Sequence, residues 1–473
     1  MNTPTSPRCP FHAGTDLPAP ALQPPGAWPP GPPPGLTGWS LLRRMSRDLF
    51  GALSEWKQAY GDVVHLRMWP EHQIVLTDPQ LARELLVEHH DALIRWERGI
   101  EVFSQVHGRS VLIAEGAPWR SKRQALQPNF TPKAVQAFVP TITGAVGKAL
   151  CDWPARDARW PIESALTSLT MDVILRMLFS SEVDADARKA EQAVHEISVA
   201  GNAELYWPAS WPDWMPWKRA KRRAIAVLDS LINRHIAARL QVERNAWPVD
   251  ILTRLLELHR DDPAAWPLRA VRDECMTTFL AGHETAAATL TWWSWCMAAN
   301  PAVQAKAKEE VAVRLQGRMP TAADLPALGY VTQTLQETLR LYPAAPVLLS
   351  RRSTRPITLG GWQLPARTIF AIPVQLLQHD ARWFPEPQEF RPERFATDAP
   401  GHPRGALMPF GTGPRVCLGQ HLAMTEMTVI AAMILQRFTL TAPEDMAAPR
   451  PAFNISLRPD APLRLQVSAA QGG

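Results

Sequence analysis

The chain has 473 residues, 46% hydrophobic and 20% charged, with a formal net charge of +5. A charge that small is no nucleic-acid signature, and no interleaving of basic and aromatic residues of that kind occurs. Five widely spaced cysteines (Cys9, Cys151, Cys275, Cys296 and Cys417) without a C-x-x-C argue against a disulfide framework and a zinc site, and fit a reducing cytoplasm.

Length alone suggests two or three domains. The N-terminus, MNTPTSPRCPFHAG, lacks the apolar run of a secretory signal. Its lone Cys9 and His12 cannot complete a metal site. Residues 17–35, LPAPALQPPGAWPPGPPPG, form a Pro/Gly-rich lead-in expected to be polyproline or irregular and partly disordered. Residues 60–77, YGDVVHLRMWPEHQIVLT, alternate as a two-stranded hairpin does.

From about 79 to 355 helical periodicity dominates. In WRSKRQALQPNF, 119–130, Trp119 and Arg123 are four apart and share a helix face. The 199–217 segment carries Trp207, Trp211, Trp214 and Trp217 among prolines. It reads as a packed surface loop whose tryptophans cover the core, with an aromatic lid over an apolar substrate, resting on a membrane, as the alternative. KRAKRR, 218–223, reads as a solvated helix face. The apolar run Cys275–Ala299 has the length of a membrane span, but His283 and Glu284 in its middle are costly in lipid. It is expected to be a buried central helix, with WWSWC, 292–296, as core packing. Gly282 costs about 1 kcal/mol there relative to alanine, so it needs a reason. A back-bonded Thr285 and a solvent-facing Glu284 are the plain readings of the next pair.

In QETLRLYP, Glu337 and Arg340 share a helix face among apolar neighbours, and FRPERF, 390–395, supplies Arg394. Short strands are expected over 357–373, around Gly360 and Gly361. The stretch 378–417 has few periodic segments, and so long an irregular run is usually functional. It ends in FGTGPRVCLG, 410–419. Gly411, Gly413 and Gly419 allow positive φ and close backbone approach. Cys417 then precedes a helix over 418–437, whose N-terminus favours thiolate. A thiolate that a flat apolar object can approach suits an axial ligand of haem iron. A small buried residue is the plain alternative.

The complete pattern F-x-x-G-x-R-x-C-x-G resembles the haem-binding loop of the cytochrome P450 family. AGHET, 281–285, is similar to that family's central-helix motif, Glu337 and Arg340 to its Glu-x-x-Arg pair, and Trp119 and Arg123 to its W-x-x-x-R helix. The resemblance covers the chain past about residue 24. It implies a mainly α fold with a small β-rich region and haem b between the 271–299 and 418–437 helices. It also replaces the count from length by one catalytic domain, 36–473.

By resemblance Cys417 is the metal ligand, and Phe410, Gly411 and Gly419 shape its loop. Arg415, Trp119, Arg123 and Arg351 (or its neighbour Arg352) would meet the propionates. Ala281 and Gly282 would lie against the haem. Thr285 would donate a hydrogen bond toward dioxygen and Glu284 would supply protons, although Ala286 stands where the family often has another alcohol. Glu337, Arg340 and Arg394 would form a structural cluster bracing the irregular stretch. The implied protein is a bacterial, soluble, cytoplasmic and monomeric monooxygenase. It would insert one oxygen atom from O2 into a hydrophobic small molecule: a fatty acid, terpenoid or aromatic hydrocarbon. With no nucleotide or flavin fingerprint in the chain, electrons from NAD(P)H are expected through a separate ferredoxin- or flavodoxin-type donor and its reductase. That donor would dock on the cysteine side, where Arg415 and Arg437 are basic. A peroxygenase using H2O2 and a non-catalytic haem sensor are the alternatives.

Overall fold

The alternation over 60–77 becomes β1 (Val63–Met68) and β2 (Glu71–Leu76), an antiparallel pair joined at Trp69 and Pro70. The computed structural model describes residues 23–470 except 25, 155, 183, 184, 207–211 and 213. In it this pair joins β3 (Leu93–Arg95), β4 (Arg351–Ser353) and β5 (Ile369–Ala371) in one sheet, in the order β1-β2-β5-β4-β3. The sheet thus draws on both halves of the chain. β3 lies inside the stretch read as helical, and three residues are too short to show alternation. Between β4 and β5 the strands Ile357–Leu359 and Trp362–Leu364 form the hairpin expected around Gly360.

The described part of the Pro-rich lead-in lies along β1. The His65 N–H donates to the Pro30 carbonyl at 3.0 Å and the Trp69 N–H to that of Thr37 at 2.9 Å. Trp28 stacks on both His65 and His72, 4.4 and 4.3 Å between ring centres. An edge strand is covered in this way instead of being left to pair with another chain.

The helical body contains α1 (Trp39–Arg47), α2 (Glu97–His107), α3 (Gly116–Leu126), α4 (Ile162–Phe179), α5 (Ala185–Leu205), α6 (Arg219–Leu240), α7 (Leu268–Ala299), α8 (Gly329–Leu341) and α9 (Gln420–Arg437). α7 starts earlier than the apolar run suggested and is buried on nearly all sides, packed on α4 and α9. Trp292 and Trp293 are core residues, as expected. Their ring N–H groups donate to the Leu457 carbonyl and the Thr334 hydroxyl, both at 2.9 Å. Among the described residues no helix is long and apolar enough to cross a membrane.

Two surface expectations are corrected. Within KRAKRR, Lys218 and Lys221 are buried. Lys221 Nζ donates to Glu204 Oε1 and Gln105 Oε1, both at 2.9 Å, because their spacing of three turns both lysines toward α5. Of its basic residues, only Arg219, Arg222 and Arg223 are solvated. In the Trp-rich segment, Trp214 and Trp217 are exposed and do not cover the core. Trp207 and Trp211, like Cys9 and His12, lie outside the described residues.

Candidate active site

The cysteine loop is closed by a backbone bond. The Cys417 N–H donates to the Phe410 carbonyl at 2.9 Å. Gly411 and Gly413 sit at φ +73° and +76°, and a Cβ on Gly413 would come within 2.2 Å of the Leu86 carbonyl oxygen. Gly419 departs from expectation. It caps α9 at φ −88°, a conformation any residue adopts.

The Cys417 side chain is exposed, yet burial pushes its pKa up against the opposing pulls of the Gly419 N–H and the Arg123 charge. Desolvation thus opposes the thiolate bias expected from the helix N-terminus.

Four arginines gather beside this loop. Arg123 donates to the Val416 carbonyl at 2.8 Å. Arg415 donates to the Ala114 carbonyl at 2.9 Å, pairs with Glu115, and stacks 4.2 Å from the Trp119 ring centre. Arg95 on β3 and Arg351 on β4 are direct cross-strand partners. Like charges placed opposite each other destabilise a sheet. Burial lowers the pKa of both, Arg351 to about 10, and Arg415 lowers each further. The Arg95 Nε is buried without a partner. Glu115 is the one carboxylate that raises either pKa, and it also accepts the Arg95 backbone N–H at 3.0 Å. Arg352 is turned away: it is paired with Glu71 and Glu97 and donates to the Arg367 carbonyl.

In the middle of α7, over 273–294, one stripe remains accessible: Thr278, Ala281, Gly282 and Thr285, at spacings of three and four. A Cβ on Gly282 would meet Ile174 Cδ1 at 2.9 Å, so the glycine allows close packing of α4 on α7. Thr285 Oγ1 donates back to the Ala281 carbonyl at 2.6 Å.

Glu284 is neither solvent-facing nor turned toward Thr285. It is buried, and its carboxylate accepts the hydroxyls of Ser198 on α5 (2.9 Å) and Ser456 (2.8 Å). Arg458 Nε lies 4.0 Å away. Ser456 opens the second strand of the C-terminal hairpin, Pro451–Asn454 with Ser456–Pro459. Neighbours on a helix diverge by about 100°, which separates the acid from the alcohol.

The irregular stretch is tied to α8 chiefly through Arg340 and Glu337. Arg340, fully buried on α8, makes a fork to Glu337 at 2.7 and 2.8 Å. Its remaining donors reach the carbonyls of Gln378 (2.9 Å), Pro387 (2.9 Å) and Glu389 (3.2 Å). Arg394 Nε lies 3.2 Å from Glu337 Oε1, and its other end donates to the Glu386 carbonyl.

Compared with known proteins, residues 29–467 match the family model described as cytochrome P450. The chain belongs to the cytochrome P450 family. A cyclooctat-9-en-7-ol 5-monooxygenase of Streptomyces melanosporofaciens is 32% identical over 391 residues, 81% of this chain and 83% of the relative. Protein LUTEIN DEFICIENT 5, chloroplastic, of Arabidopsis thaliana is 30% identical over 408 residues, covering 80% of this chain and 67% of its own. A putative cytochrome P450 132 of Mycobacterium tuberculosis is 28% identical over 461 residues, covering 92% and 95%.

This P450 is thus a monooxygenase whose family carries haem b on a cysteine thiolate. The residues present fit that group. A buried Arg95 with an orphaned guanidinium nitrogen, beside half-buried Arg351, calls for an anion, and haem b carries two carboxylates. An accessible sulfur stands at the end of a glycine-shaped loop. Sequence reasoning missed Arg95 and Glu115. An arginine ending a three-residue strand and a glutamate before a helix give no local signal.

Proposed function

We propose that this P450 hydroxylates an apolar, mostly hydrocarbon small molecule in the range of fatty acids, terpenoids and aromatic hydrocarbons. Electrons would come from NAD(P)H through a separate ferredoxin- or flavodoxin-type donor. Residues 36–473 act as one monomeric catalytic domain in the cytoplasm in this reading. The observation that carries it is the accessible Cys417 sulfur beside buried, underpaired Arg95 and half-buried Arg351. That a relative is named for acting on cyclooctat-9-en-7-ol favours the terpenoid end of the range.

When bound, the haem supplies activation of dioxygen and insertion of one oxygen atom into a C–H bond. Cys417 ligates through sulfur, helped toward thiolate by the Gly419 N–H and Arg123. Arg95, Arg351 and Arg415 would hold the two propionates, with Trp119 and Arg123 beside them. Ala281 and Gly282 would leave room for the ring against α7. Thr285, whose hydroxyl donates to the Ala281 carbonyl, would turn that hydrogen toward dioxygen. Glu284 would relay protons toward Thr285 once its side chain is released from the Ser198 and Ser456 hydroxyls.

The test uses purified protein with a surrogate ferredoxin and reductase. Ligands are first screened by the haem spin-state shift, and turnover is then followed under isotopically labelled O2. One labelled oxygen atom per product is expected. Thr285→Ala should go on consuming reductant while forming less product and more H2O2. Product formed equally from H2O2 without reductase would favour the peroxygenase reading, and no product with any bound ligand would favour the sensor.

A further inference from the structure

A cavity of about 600 Å³, lined by none of the residues placed at the haem, lies between α2, α6 and the first turns of α7. That volume suits a small organic ligand. One wall is apolar, made by Ile236, Ala237, Leu240 and Leu268. Leu240 and Leu268 are 42% and 39% exposed, so this wall leaves apolar surface in water. The other wall is polar. Arg272 donates to Asp229 Oδ1 on α6 (2.6 Å), to Asp273 Oδ1 (2.9 Å) and to the Val106 carbonyl of α2 (3.0 Å). Both carboxylates of the lining are thus held by one guanidinium. Arg269, three residues earlier, is exposed and makes no ion pair among the described residues. Its charge is the unmatched one in the lining.

From Arg272 a chain of contacts runs to the haem site. Asp273 also accepts the Arg109 N–H at 2.8 Å. Glu274 accepts the Val111 N–H at 3.0 Å and Lys122 Nζ at 2.8 Å. Thr277 Oγ1 lies 3.1 Å from the His107 ring nitrogen. Three side chains of α7 therefore hold the segment 107–111. That segment leads to Ala114 and Glu115, which take Arg415. α3, which carries Lys122, also carries Trp119 and Arg123.

We propose that this cavity is an effector site for a small amphipathic organic monoanion, such as an aromatic carboxylate, whose binding tightens ligand binding at the haem. The apolar body lies on Leu240 and Leu268, and the carboxylate meets Arg269. A cation would be set against Arg269, and a neutral molecule would leave its charge unmatched. An occupant touching α2, α6 and α7 together favours the arrangement in which 107–111 stays on α7, and the coupling is then reciprocal. The site stands without the haem, whereas the coupling rests on the haem reading.

The test titrates the haem-loaded protein with 2-naphthoate by calorimetry. Imidazole is then titrated by its Soret shift, with and without saturating naphthoate. One saturable naphthoate site is expected, lost in Arg269→Glu, weakened in Leu240→Ser/Leu268→Ser, and not filled by neutral 2-naphthamide. Naphthoate should lower the imidazole Kd about fivefold, and imidazole should tighten naphthoate by the same factor. Arg269→Glu should bind imidazole alone as the wild type does and lose the naphthoate effect. The proposal is overturned if naphthoate does not saturate, if Arg269→Glu or the amide binds equally well, or if the imidazole Kd does not change. Weaker imidazole binding would also overturn it, by placing naphthoate in the haem pocket. If imidazole gives no Soret shift at all, the haem reading fails, and calorimetry with Arg269→Glu still accepts or rejects the cavity site.

Discussion

Arg340→Lys is expected to loosen the cysteine loop from a distance. In the wild type all five guanidinium N–H groups are used: two on Glu337 and three on carbonyls of the irregular stretch, at Gln378, Pro387 and Glu389. Lysine offers three donors from a single point and cannot make the fork. At least two buried acceptors are then stranded, at about 1–3 kcal/mol each. That agrees with about 3–5 kcal/mol for breaking a buried ion pair. An unfolding entropy of about 2.1 cal/mol/K per residue, over roughly 440 folded residues, converts about 4 kcal/mol into a Tm drop of about 4 °C. The assay is a thermal melt of the haem-loaded protein, with its reduced, carbon monoxide-bound spectrum recorded before heating. The carbonyls that lose their donor lead directly to the Cys417 loop, so part of the thiolate-type band should be missing as well. A variant that melts within about a degree of wild type and keeps the whole band would refute the bracing role.

Glu426 on α9 is buried with one oxygen unpartnered, and burial raises its pKa from 4.5 to about 8. The folded chain then keeps a proton that the unfolded chain has lost, so stability falls as pH rises from about 4.5 to about 8, by up to about 1.4 kcal/mol per pH unit. Glu426→Gln should raise the urea midpoint at pH 8 and change it little at pH 5. Buried His107, His283 and His379 have the opposite sign. Burial depresses them from 6.5 to about 4, 3 and 4. Each adds stability present above pH 6.5 and lost as pH falls toward its folded pKa, so urea midpoints should drop steeply between pH 6 and 4, and less so in His107→Gln. Glu115→Gln removes the carboxylate beside Arg95 and Arg415. A haem edge with one negative charge fewer accepts an electron more readily, so spectroelectrochemical titration should give a higher reduction potential.

The elements that carry their own periodicity were legible in the sequence. α7 announces itself by a long apolar run, and the cysteine loop by glycine spacing before a helix. What stayed hidden depends on partners far along the chain. Arg95 matters because β3 meets β4, and neither three-residue strand has a pattern to read. Glu284 turns away from Thr285 because hydroxyls 86 and 172 positions distant donate to its buried carboxylate. Lys218 and Lys221 looked solvated because a run of cations hides which of them face a buried glutamate. The Cys417 thiol depends on a contest between a helix end and desolvation, and only the packed environment sets the second.

The reduced, carbon monoxide-bound absorbance spectrum of the purified protein tests the central claim most directly. Ligation by Cys417 predicts a strongly red-shifted Soret band that Cys417→Ala abolishes. A short-wavelength band in the wild type, or a red-shifted band that survives Cys417→Ala, would contradict it.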